Sequence, residues 1–406
     1  MPDGPRPGLL PLDDALQIVD RVVKPVDGVE TLPLERALGR YLAEPLAARR
    51  SLPPFDNSAV DGYAFRLTGQ SRLRLIGESA AGIPYRSEVP EGAAVRISTG
   101  AVVPAGADTI AMQEDSRREN GDVVIEPLPV LNANLRRAGN DIAKGEIAFS
   151  AGHRLRPQDV ALLRALGYVE AKVRRKLRVA IAPTGEELRE GGADLAAGQI
   201  VETNGLMLAQ LSASLPVDVT SLGTLPDNRV KTIAALADAA ESHDLILTTG
   251  GVSVGDHDHV RAALNALGRE HFWRLAIRPG KPVLFGAIDK AAFVGLPGNP
   301  VSAMVTFLLI ALPALRALAG GIAPPDSCYR VPLAEPLKKP PTLRDFQRAR
   351  LEPGPDGPRA RPFRDQSSNL ITSLAHADGL LDLPPGPGEL QAGEMVTYRP
   401  FDGFFG

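Results

Sequence analysis

The chain has 406 residues, of which 44% are hydrophobic and 23% are charged, as is ordinary for a soluble globular protein of roughly two to four domains. Its net charge of −3 excludes the basic surface typical of nucleic-acid binding, and its single cysteine excludes an intrachain disulfide. The opening residues, MPDGPRPGLL, lack an apolar leader, so we expect a cytoplasmic protein without a membrane partner.

The first half of the chain is predicted to begin with helices and to continue as a small all-β domain. Apolar residues at helical spacing predict helices over Leu12–Val23 and Thr31–Tyr41. From Pro45 to about Glu146, short β runs alternate with turns that contain glycine and proline, which predicts the β domain. The clearest runs are Arg72–Ile76, Ala94–Ile97, Thr109–Met112 and Val123–Ile125. A further helix is predicted over Pro157–Leu166.

Between Leu177 and Thr306, apolar strands alternate with amphipathic helices, which predicts a doubly wound, mainly parallel sheet. The predicted strands are Leu177–Ala182, Val217–Leu222, Leu245–Thr249, Val283–Ala287 and Ala291–Leu296, and the predicted helices are Leu206–Leu215, Val230–Glu241 and Val260–Leu267. The apolar segment Val301–Leu315 is too short for a membrane span and contains Pro313, so we expect a buried helix that ends or kinks there. From Tyr329 onward, short strands and turns predict a second β domain.

Four loops follow strands of the predicted sheet, where ligands bind in folds of this class. They are PTGEEL (183–188), PDN (226–228), TTGGVSVGDHDHV (248–260, the glycine loop) and LPGNP (296–300, the elbow). The glycine loop offers hydroxyls and permits close backbone approach to a ligand, but no Gly-Lys-Ser/Thr follows it, so it is not a P-loop. The elbow opens an apolar helix, whose first N–H groups favour anions. A plain strand-to-helix turn would explain the elbow equally well.

Charged residues sharpen the prediction for these loops. Glu187, Asp227 and Asp258 each follow a strand, so their carboxylates are expected to converge and to suit Mg²⁺, unless each is only a helix cap. His257 and His259 lack a third clustered histidine or cysteine, which disfavours a transition-metal site. The stretch RLAIRPGKP (274–282) carries three cations that suit an oxyanion, although ordinary surface cations would look the same. These cations are Arg274, Arg278 and Lys281.

The β domain contributes two segments whose composition is typical of functional loops. They are PPFDNSAVDGYA (53–64) and RISTGAVVPAGADTIAMQED (96–115), both rich in small, polar and turn-forming residues. Asp56 and Asp61 could face a cleft, and Ser98, Thr99 and Asp108 are expected in tight turns. The alternative is that such residues only form turns through side-chain hydrogen bonds to the backbone.

Seven segments together resemble the molybdopterin molybdenumtransferase family, called MoeA in bacteria and matching the C-terminal part of gephyrin in animals. They occur in the family's order and cover nearly the whole chain. The segments are PPFDNSAVDGYA, STGAVVPAGADTIAMQE, RRAGNDI, PTGEEL with GQIVETN, TTGGVSVGDHD, RPGKPVLFG and GLPGNPVSA.

The resemblance implies a multi-domain homodimer. Its α/β domain, similar to the small MogA-type molybdopterin adenylyltransferases, would comprise residues 1–27 and 176–324. Residues 28–45 and 146–175 would form a connecting or dimerisation segment, residues 46–145 an inserted small β domain, and residues 325–406 a C-terminal β domain. The active cleft would lie between the α/β domain of one subunit and the β domain of the other.

The activity that the resemblance implies is insertion of molybdate into adenylylated molybdopterin with Mg²⁺ assistance, releasing AMP and giving molybdenum cofactor. Other cofactor-biosynthesis proteins and recipient molybdoenzymes are further expected partners. Two alternatives stay open: a molybdopterin adenylyltransferase, and a non-catalytic molybdopterin-binding or scaffold protein.

Carried over residue by residue, the resemblance implies three groups of site residues. The catalytic ones are Asp61, Thr99 and Glu187, and the metal ligands are Asp227 and Asp258. The substrate-binding ones are Asp141, Thr249, Gly250, Gly251, Ser253, Arg274, Arg278, Lys281, Pro297, Gly298, Asn299 and Pro300. Arg274 and Arg278 stand where lysines are common in the family. The segment 365–379 lacks the family's usual glycines, which leaves the role of the C-terminal domain open.

Overall fold

The computed structural model describes residues 8–252, 259–322 and 327–405. Within these residues, three six-stranded sheets form the framework, and short two-stranded pairs link them. One sheet lies in the α/β part, one in the inserted β part and one at the C-terminal end.

The central sheet is mainly parallel, as the alternation of strands and helices predicted. Its strands lie in the order Val217–Ser221, Leu177–Pro183, Leu245–Thr249, Ala291–Leu296, Leu284–Ile288 and Arg269–Trp273. The first four strands are parallel to one another. Leu284–Ile288 is antiparallel to both of its neighbours, so Arg269–Trp273 runs in the same direction as the first four. The direction reverses at a two-residue hairpin in which Asp289 has a φ of 52°, a conformation that such tight turns require. The sheet therefore presents the carboxyl ends of four parallel strands side by side.

Helices cover both faces of this sheet, as in a doubly wound fold. One hydrophobic cluster includes Leu12, Leu208 and Val305, and the other includes Leu236 and Leu264 on the opposite face. The helices that supply them are Leu12–Val22, Asn204–Ser212, Arg229–Ser242, His259–Leu267 and Pro300–Leu318. Because both faces are covered, the strands read as continuous apolar runs, which is why their positions were predictable.

The helix Pro300–Leu318 is long and apolar enough to cross a membrane by length and composition, with a mean hydropathy of 2.0. However, 78% of it is buried inside the structure, so it is a core helix. Of the two outcomes expected at Pro313, an end or a kink, the end is not found, because the helix continues through that residue to Leu318. A π-helical turn over Phe307–Ala311 comes directly before the proline. This wider turn accommodates a residue that lacks an N–H and whose ring would collide with the carbonyl four residues earlier.

The predicted helix over Thr31–Tyr41 is also wrong. Val29–Pro33 is a strand that pairs antiparallel with Glu170–Arg174, and a single 3-10 turn, Leu34–Arg36, follows it. Exposure alternates along Val29–Pro33, which matches the two-residue period of a strand. The partner strand lies far along the chain, so local spacing gave no sign of the pairing.

The inserted β domain contains all four predicted β runs. Its sheet has the strand order Thr109–Met112, Gly62–Phe65, Ala93–Ile97, Arg72–Ser79, Asp122–Ile125 and Ser116–Glu119. Smaller pairs connect it to the neighbouring segments: Leu46–Ala47 with Ile147–Phe149, and Asn57–Ser58 with Leu135–Arg136. All four residues of the strand Gly62–Phe65 are buried, so this strand lies at the core of the sheet.

The C-terminal sheet is bound to the α/β domain through a shared strand. Its order is Ile277–Arg278, Arg344–Glu352, Gly379–Leu383, Met395–Pro400 and Tyr329–Pro332, with Arg359–Pro362 paired to Arg344–Glu352. The short strand Leu337–Lys338 pairs with Glu389–Leu390, and the helix Ile371–His376 lies between strands. Because Ile277–Arg278 comes from the α/β part, the C-terminal domain is held beside the ends of the central strands.

The helix Pro157–Ala165, predicted from sequence, depends on the buried carboxylate of Asp159. This carboxylate accepts hydrogen bonds from the Arg156 backbone and guanidinium at 2.9–3.0 Å, and it contacts the His153 ring at 2.8 Å. Burial raises the pKa of Asp159, but the hydrogen bonds from Arg156 and His153 outweigh it and lower the pKa to about 2. The carboxylate therefore stabilises the fold only while it is ionised.

We expect Asp159→Ala to lower the free energy of unfolding by about 2 kcal/mol at pH 7. The deficit should fall by about half at pH 3, because a depressed pKa gives stability that is lost as the pH falls from about 4 towards 2. Urea unfolding at both pH values measures this, with the exposed Asp238→Ala as the control. A deficit that does not change with pH would contradict the interpretation.

Candidate active site

A cavity of about 630 Å³ opens at the carboxyl ends of the central parallel strands, and we call it the strand-end cavity. Its volume is in the range of small-molecule sites. Its walls come from the first predicted loop, the segment after it, the glycine loop, the elbow and the C-terminal domain. The main lining residues are Thr184, Glu187, Glu202, Asn204, residues 249–252, residues 297–300, Asn369 and Ile371. The structure thus brings together three of the four loops that the sequence singled out.

The backbones of the glycine loop and the elbow are in direct contact. The Gly250 N–H donates to the Leu296 carbonyl at 3.0 Å, and the Gly250 φ is +89°. A Cβ at this position would lie 2.6 Å from the Thr184 hydroxyl oxygen. Only glycine therefore fits at position 250, both for its conformation and for its contacts. On the other side, a Cβ on Gly298 would lie 3.6 Å from the Gly250 Cα.

A buried network ties the same two loops to the helix Asn204–Ser212. The Thr249 hydroxyl donates to the Pro297 carbonyl at 3.0 Å, and the Asn204 amide donates to the Thr249 Oγ1 at 2.9 Å and to the Gly298 carbonyl at 2.6 Å. The hydroxyl proton of Thr249 is thus used within the protein. The site residues that the family resemblance implied did not include Asn204 and Glu202. Both belong to the segment GQIVETN, which was part of that resemblance.

The first turn of the helix after the elbow is tied to the C-terminal domain. Pro300 has no N–H, and the Val301 N–H donates to the Ser368 carbonyl at 3.1 Å. The Asn299 side chain donates to the Ser368 hydroxyl at 2.9 Å. One of the N–H groups that the sequence assigned to an anion is therefore satisfied within the chain. In return, the C-terminal domain, whose role the sequence left open, supplies a wall of the strand-end cavity.

A second cavity of about 730 Å³ lies between the α/β and C-terminal domains, and we call it the interdomain cavity. Two predicted cations, Arg278 and Lys281, line it. The other lining residues include Ser302, residues 340–343, Gln366 and Ser368. Pro282, Pro297 and Asn299 line both cavities, so the elbow forms their common wall.

The cations of the RLAIRPGKP stretch differ in their surroundings. Arg278 forms a two-pronged ion pair with the buried Asp345 at 2.8 and 2.6 Å. Lys281 makes no ion pair with any residue of the described ranges. Arg274 lies apart from both: it has a φ of 73°, its guanidinium is 5.3 Å from the Trp273 ring centroid, and it is absent from the described lining of either cavity. Lys281 is thus the cation best placed to attract an anion.

A fully buried arginine, Arg348, holds the C-terminal wall of the interdomain cavity in place. Its guanidinium donates to the Ser373 hydroxyl and to three consecutive carbonyls, at 2.9–3.2 Å. These carbonyls belong to Asp365, Gln366 and Ser367. Burial lowers the pKa of Arg348 to about 10, so the side chain stays charged at neutral pH. The sequence around Arg348 gave no sign that this side chain would be buried and would hold the segment 365–367.

The predicted acids occupy different places. Glu187 lines the strand-end cavity, together with Glu202. Asp227 lies outside the described lining, with its Oδ1 3.1 Å from the His259 Nε2. Asp258, His257 and Ser253 lie outside the described residues, and the described ranges hold no cluster of three acidic, histidine or cysteine side chains. Mg²⁺ often takes only one or two protein carboxylates beside waters and phosphate oxygens, and of the predicted acids with described positions only Glu187 lies where it could hold that ion at the strand-end cavity.

Asp61 and Thr99 of the β domain form a pair. The Thr99 N–H and hydroxyl donate to the Asp61 Oδ1 at 2.6 and 3.0 Å, and these hydrogen bonds lower the pKa of Asp61. Both residues and Asp141 are exposed. No residue between 46 and 145 is among the described lining of these two cavities, so within a single chain Asp61 does not share the strand-end cavity with Glu187.

Comparisons with known proteins agree with this architecture along the chain. Residues 10–167 match the MoeA N-terminal region (domain I and II), residues 180–317 a probable molybdopterin binding domain, and residues 330–401 the MoeA C-terminal region (domain IV).

Similar proteins cover nearly the whole chain. A molybdopterin molybdenumtransferase of Haemophilus influenzae is 39% identical over 93% of this chain and 95% of its own length, and one of Staphylococcus aureus is 31% identical over 95% and 94%. The crystal structure of the molybdopterin biosynthesis MoeA protein of Pyrococcus horikoshii matches with a TM-score of 0.84 at 30% identity, covering 97% of this chain and all of that one. The chain therefore belongs to the MoeA family, the molybdopterin molybdenumtransferases of molybdenum cofactor biosynthesis.

Proposed function

We propose that this transferase inserts molybdate into adenylylated molybdopterin and releases AMP and molybdenum cofactor. The observation that carries the proposal is that two cavities share the elbow as a wall. One has glycine-lined backbone and a carboxylate, which suit a pterin nucleotide. The other has an ammonium group and hydroxyls, which suit a tetrahedral oxyanion. A reaction that joins a pterin to an oxyanion needs two such sites in contact.

The roles of the side chains follow from their surroundings. The elbow, Gly250 and Gly251 bind the pterin and phosphate groups, because their backbone can approach a ligand closely. Lys281 attracts the molybdate dianion, while Arg278 shares its charge with Asp345 and orients the oxyanion. The Ser368 hydroxyl, which accepts from Asn299, lines the interdomain cavity, where it can contact the oxyanion.

Mg²⁺ is the cofactor that the donor set suits. Glu187 from the strand-end cavity, with Asp227 and Asp258, would hold it. When bound, this ion neutralises charge on the phosphoanhydride. The carboxylate oxygens are hard ligands, which favour Mg²⁺ over softer metals.

The β-domain residues are proposed to act across a homodimer in the cytoplasm. Asp61, Thr99 and Asp141 are exposed and lie apart from Glu187 in one chain, which supports a cleft completed by the partner subunit's β domain. Asp61, ionised and held by Thr99, would position molybdate or the attacking water there.

The test is release of AMP from adenylylated molybdopterin with Mg²⁺, with and without molybdate. We expect release to require molybdate, and Lys281→Ala to raise the molybdate concentration for half-maximal rate by about tenfold, as loss of one charged hydrogen bond predicts. Lys290→Ala is the matched control, since Lys290 is exposed on the hairpin at the opposite edge of the sheet.

Two outcomes would overturn the proposal. Accumulation of AMP-linked pterin from molybdopterin and Mg-ATP would indicate an adenylyltransferase. Binding of adenylylated molybdopterin without AMP release would indicate a non-catalytic binding protein. An effect of Lys290→Ala equal to that of Lys281→Ala would remove the assignment of the interdomain cavity to molybdate.

A further inference from the structure

We propose that Asn204 is a positioning residue for this reaction: its side-chain amide holds the elbow against the glycine loop and thereby sets the shape of the strand-end cavity. The inference rests on the proposed function of that cavity. It concerns a residue that acts through Thr249 and the elbow rather than on the reacting atoms.

The orientation of the Asn204 amide follows from the partners around it. The Thr249 hydroxyl has one proton, which it donates to the Pro297 carbonyl at 3.0 Å, so it can only accept from Asn204. The Gly298 carbonyl can also only accept. The group that faces both, at 2.9 and 2.6 Å, is therefore the NH₂ and not the oxygen. One side-chain nitrogen thus joins the two loops.

The oxygen of the same amide lowers the stability of the folded protein. Asn204 is 9% exposed, and its Oδ1 is buried with no hydrogen-bond partner among the described residues. A buried acceptor without a donor is unfavourable, and native structures contain few of them. An apolar side chain of similar size would remove the unpaired oxygen. The unpaired oxygen offsets part of the stabilisation from the two hydrogen bonds that the NH₂ donates, so stability alone does not account for asparagine at this position.

Two hydrogen bonds hold the middle of the elbow: Asn204 makes one directly and supports the other through Thr249. On one side the Gly250 N–H fixes the Leu296 carbonyl, and on the other Asn299 is fixed to Ser368. Between them, the Gly298 carbonyl is held by Asn204. Because Pro297 and Asn299 line both cavities, a rotation of the Gly298 peptide would misplace the walls of both.

The experiment compares Asn204→Asp and Asn204→Leu with Ser212→Ala in the full-length protein. Asp keeps the shape but sets an oxygen against the Gly298 carbonyl, and Leu removes the unpaired oxygen. Ser212 is a matched control, because it lies at the far end of the same helix and its buried hydroxyl is also unpartnered within the described residues.

We expect both Asn204 variants to raise the KM for adenylylated molybdopterin by about tenfold or more, with a smaller change in kcat. The Tm of Asn204→Leu should stay within about 4 °C of the wild type, because removal of the unpaired oxygen offsets part of the loss of two hydrogen bonds. Ser212→Ala should leave KM unchanged. An unchanged KM in both Asn204 variants would overturn the inference, as would a KM that rises only in proportion to a fall in Tm. Those results leave AMP release by the wild type intact, whereas its absence would overturn the proposed function instead.

Discussion

Glu187→Gln is expected to lower the rate of cofactor formation by ~100-fold or more, and Asp61→Ala is expected to do the same. Glu187 supplies a carboxylate to the strand-end cavity, and Gln keeps its shape while removing the charge. Asp61 is an exposed carboxylate held by Thr99, so its loss should not affect folding. The rate of AMP release measures both effects, and unchanged Tm values show that the fold is intact.

A mixture of these two inactive variants is expected to recover about a quarter of the wild-type activity. If each cleft combines Glu187 of one subunit with the partner subunit's Asp61, a mixed dimer has one cleft in which both residues are intact. Random exchange makes half of the dimers mixed, and half of their clefts work. The structure motivates this test because one chain does not place the two residues at a common cavity.

The control for the mixture is Glu187→Gln combined with Glu187→Ala, which should stay inactive because every cleft lacks the carboxylate. Subunit exchange is checked with differently tagged chains. If exchange occurs and the Asp61→Ala and Glu187→Gln mixture stays inactive, each chain completes its own cleft and the shared-cleft proposal is wrong.

The sequence predicted those elements whose pattern is local. Leu245–Thr249 and Ala291–Leu296 were predicted to the residue, because strands buried on both faces read as short continuous apolar runs. The segment 31–41 was misassigned because its strand is defined by a partner far along the chain. The continuation of the helix through Pro313 was not predictable, because the π-helical turn that accommodates the proline leaves no mark in the apolar pattern.

The residues of the candidate site likewise fall into those that the sequence could identify and those that it could not. Loop composition identified the elbow, the glycine loop and Glu187, because loops after parallel strands meet at one sheet edge. It could not identify Asn204, which matters through side-chain contacts with two loops distant in sequence. Nor could it separate Arg274 from Arg278 and Lys281. The eight residues 274–281 contain both the left-handed backbone conformation of Arg274 and the strand Ile277–Arg278 that joins the C-terminal sheet.

Arg348→Met is expected to cause the largest loss of stability, about 3 kcal/mol or more. Methionine fills much of the same space but cannot donate, so the carbonyls of Asp365, Gln366 and Ser367 lose their buried partner. Because this segment lines the interdomain cavity, the molybdate concentration for half-maximal AMP release should also rise. Urea unfolding measures the first effect and molybdate titration the second.

Arg348→Lys and Arg350→Met separate the buried network from charge and from strand position. Lysine keeps the charge, but an ammonium cannot reproduce the forked donors that reach three successive carbonyls, so it should recover only part of the stability. Arg350 lies on the same strand with its side chain exposed, and its replacement should cost less than about 0.5 kcal/mol. Equal losses for Arg348→Met and Arg350→Met would mean that the hydrogen bonds of the buried guanidinium only offset the cost of burying its charge.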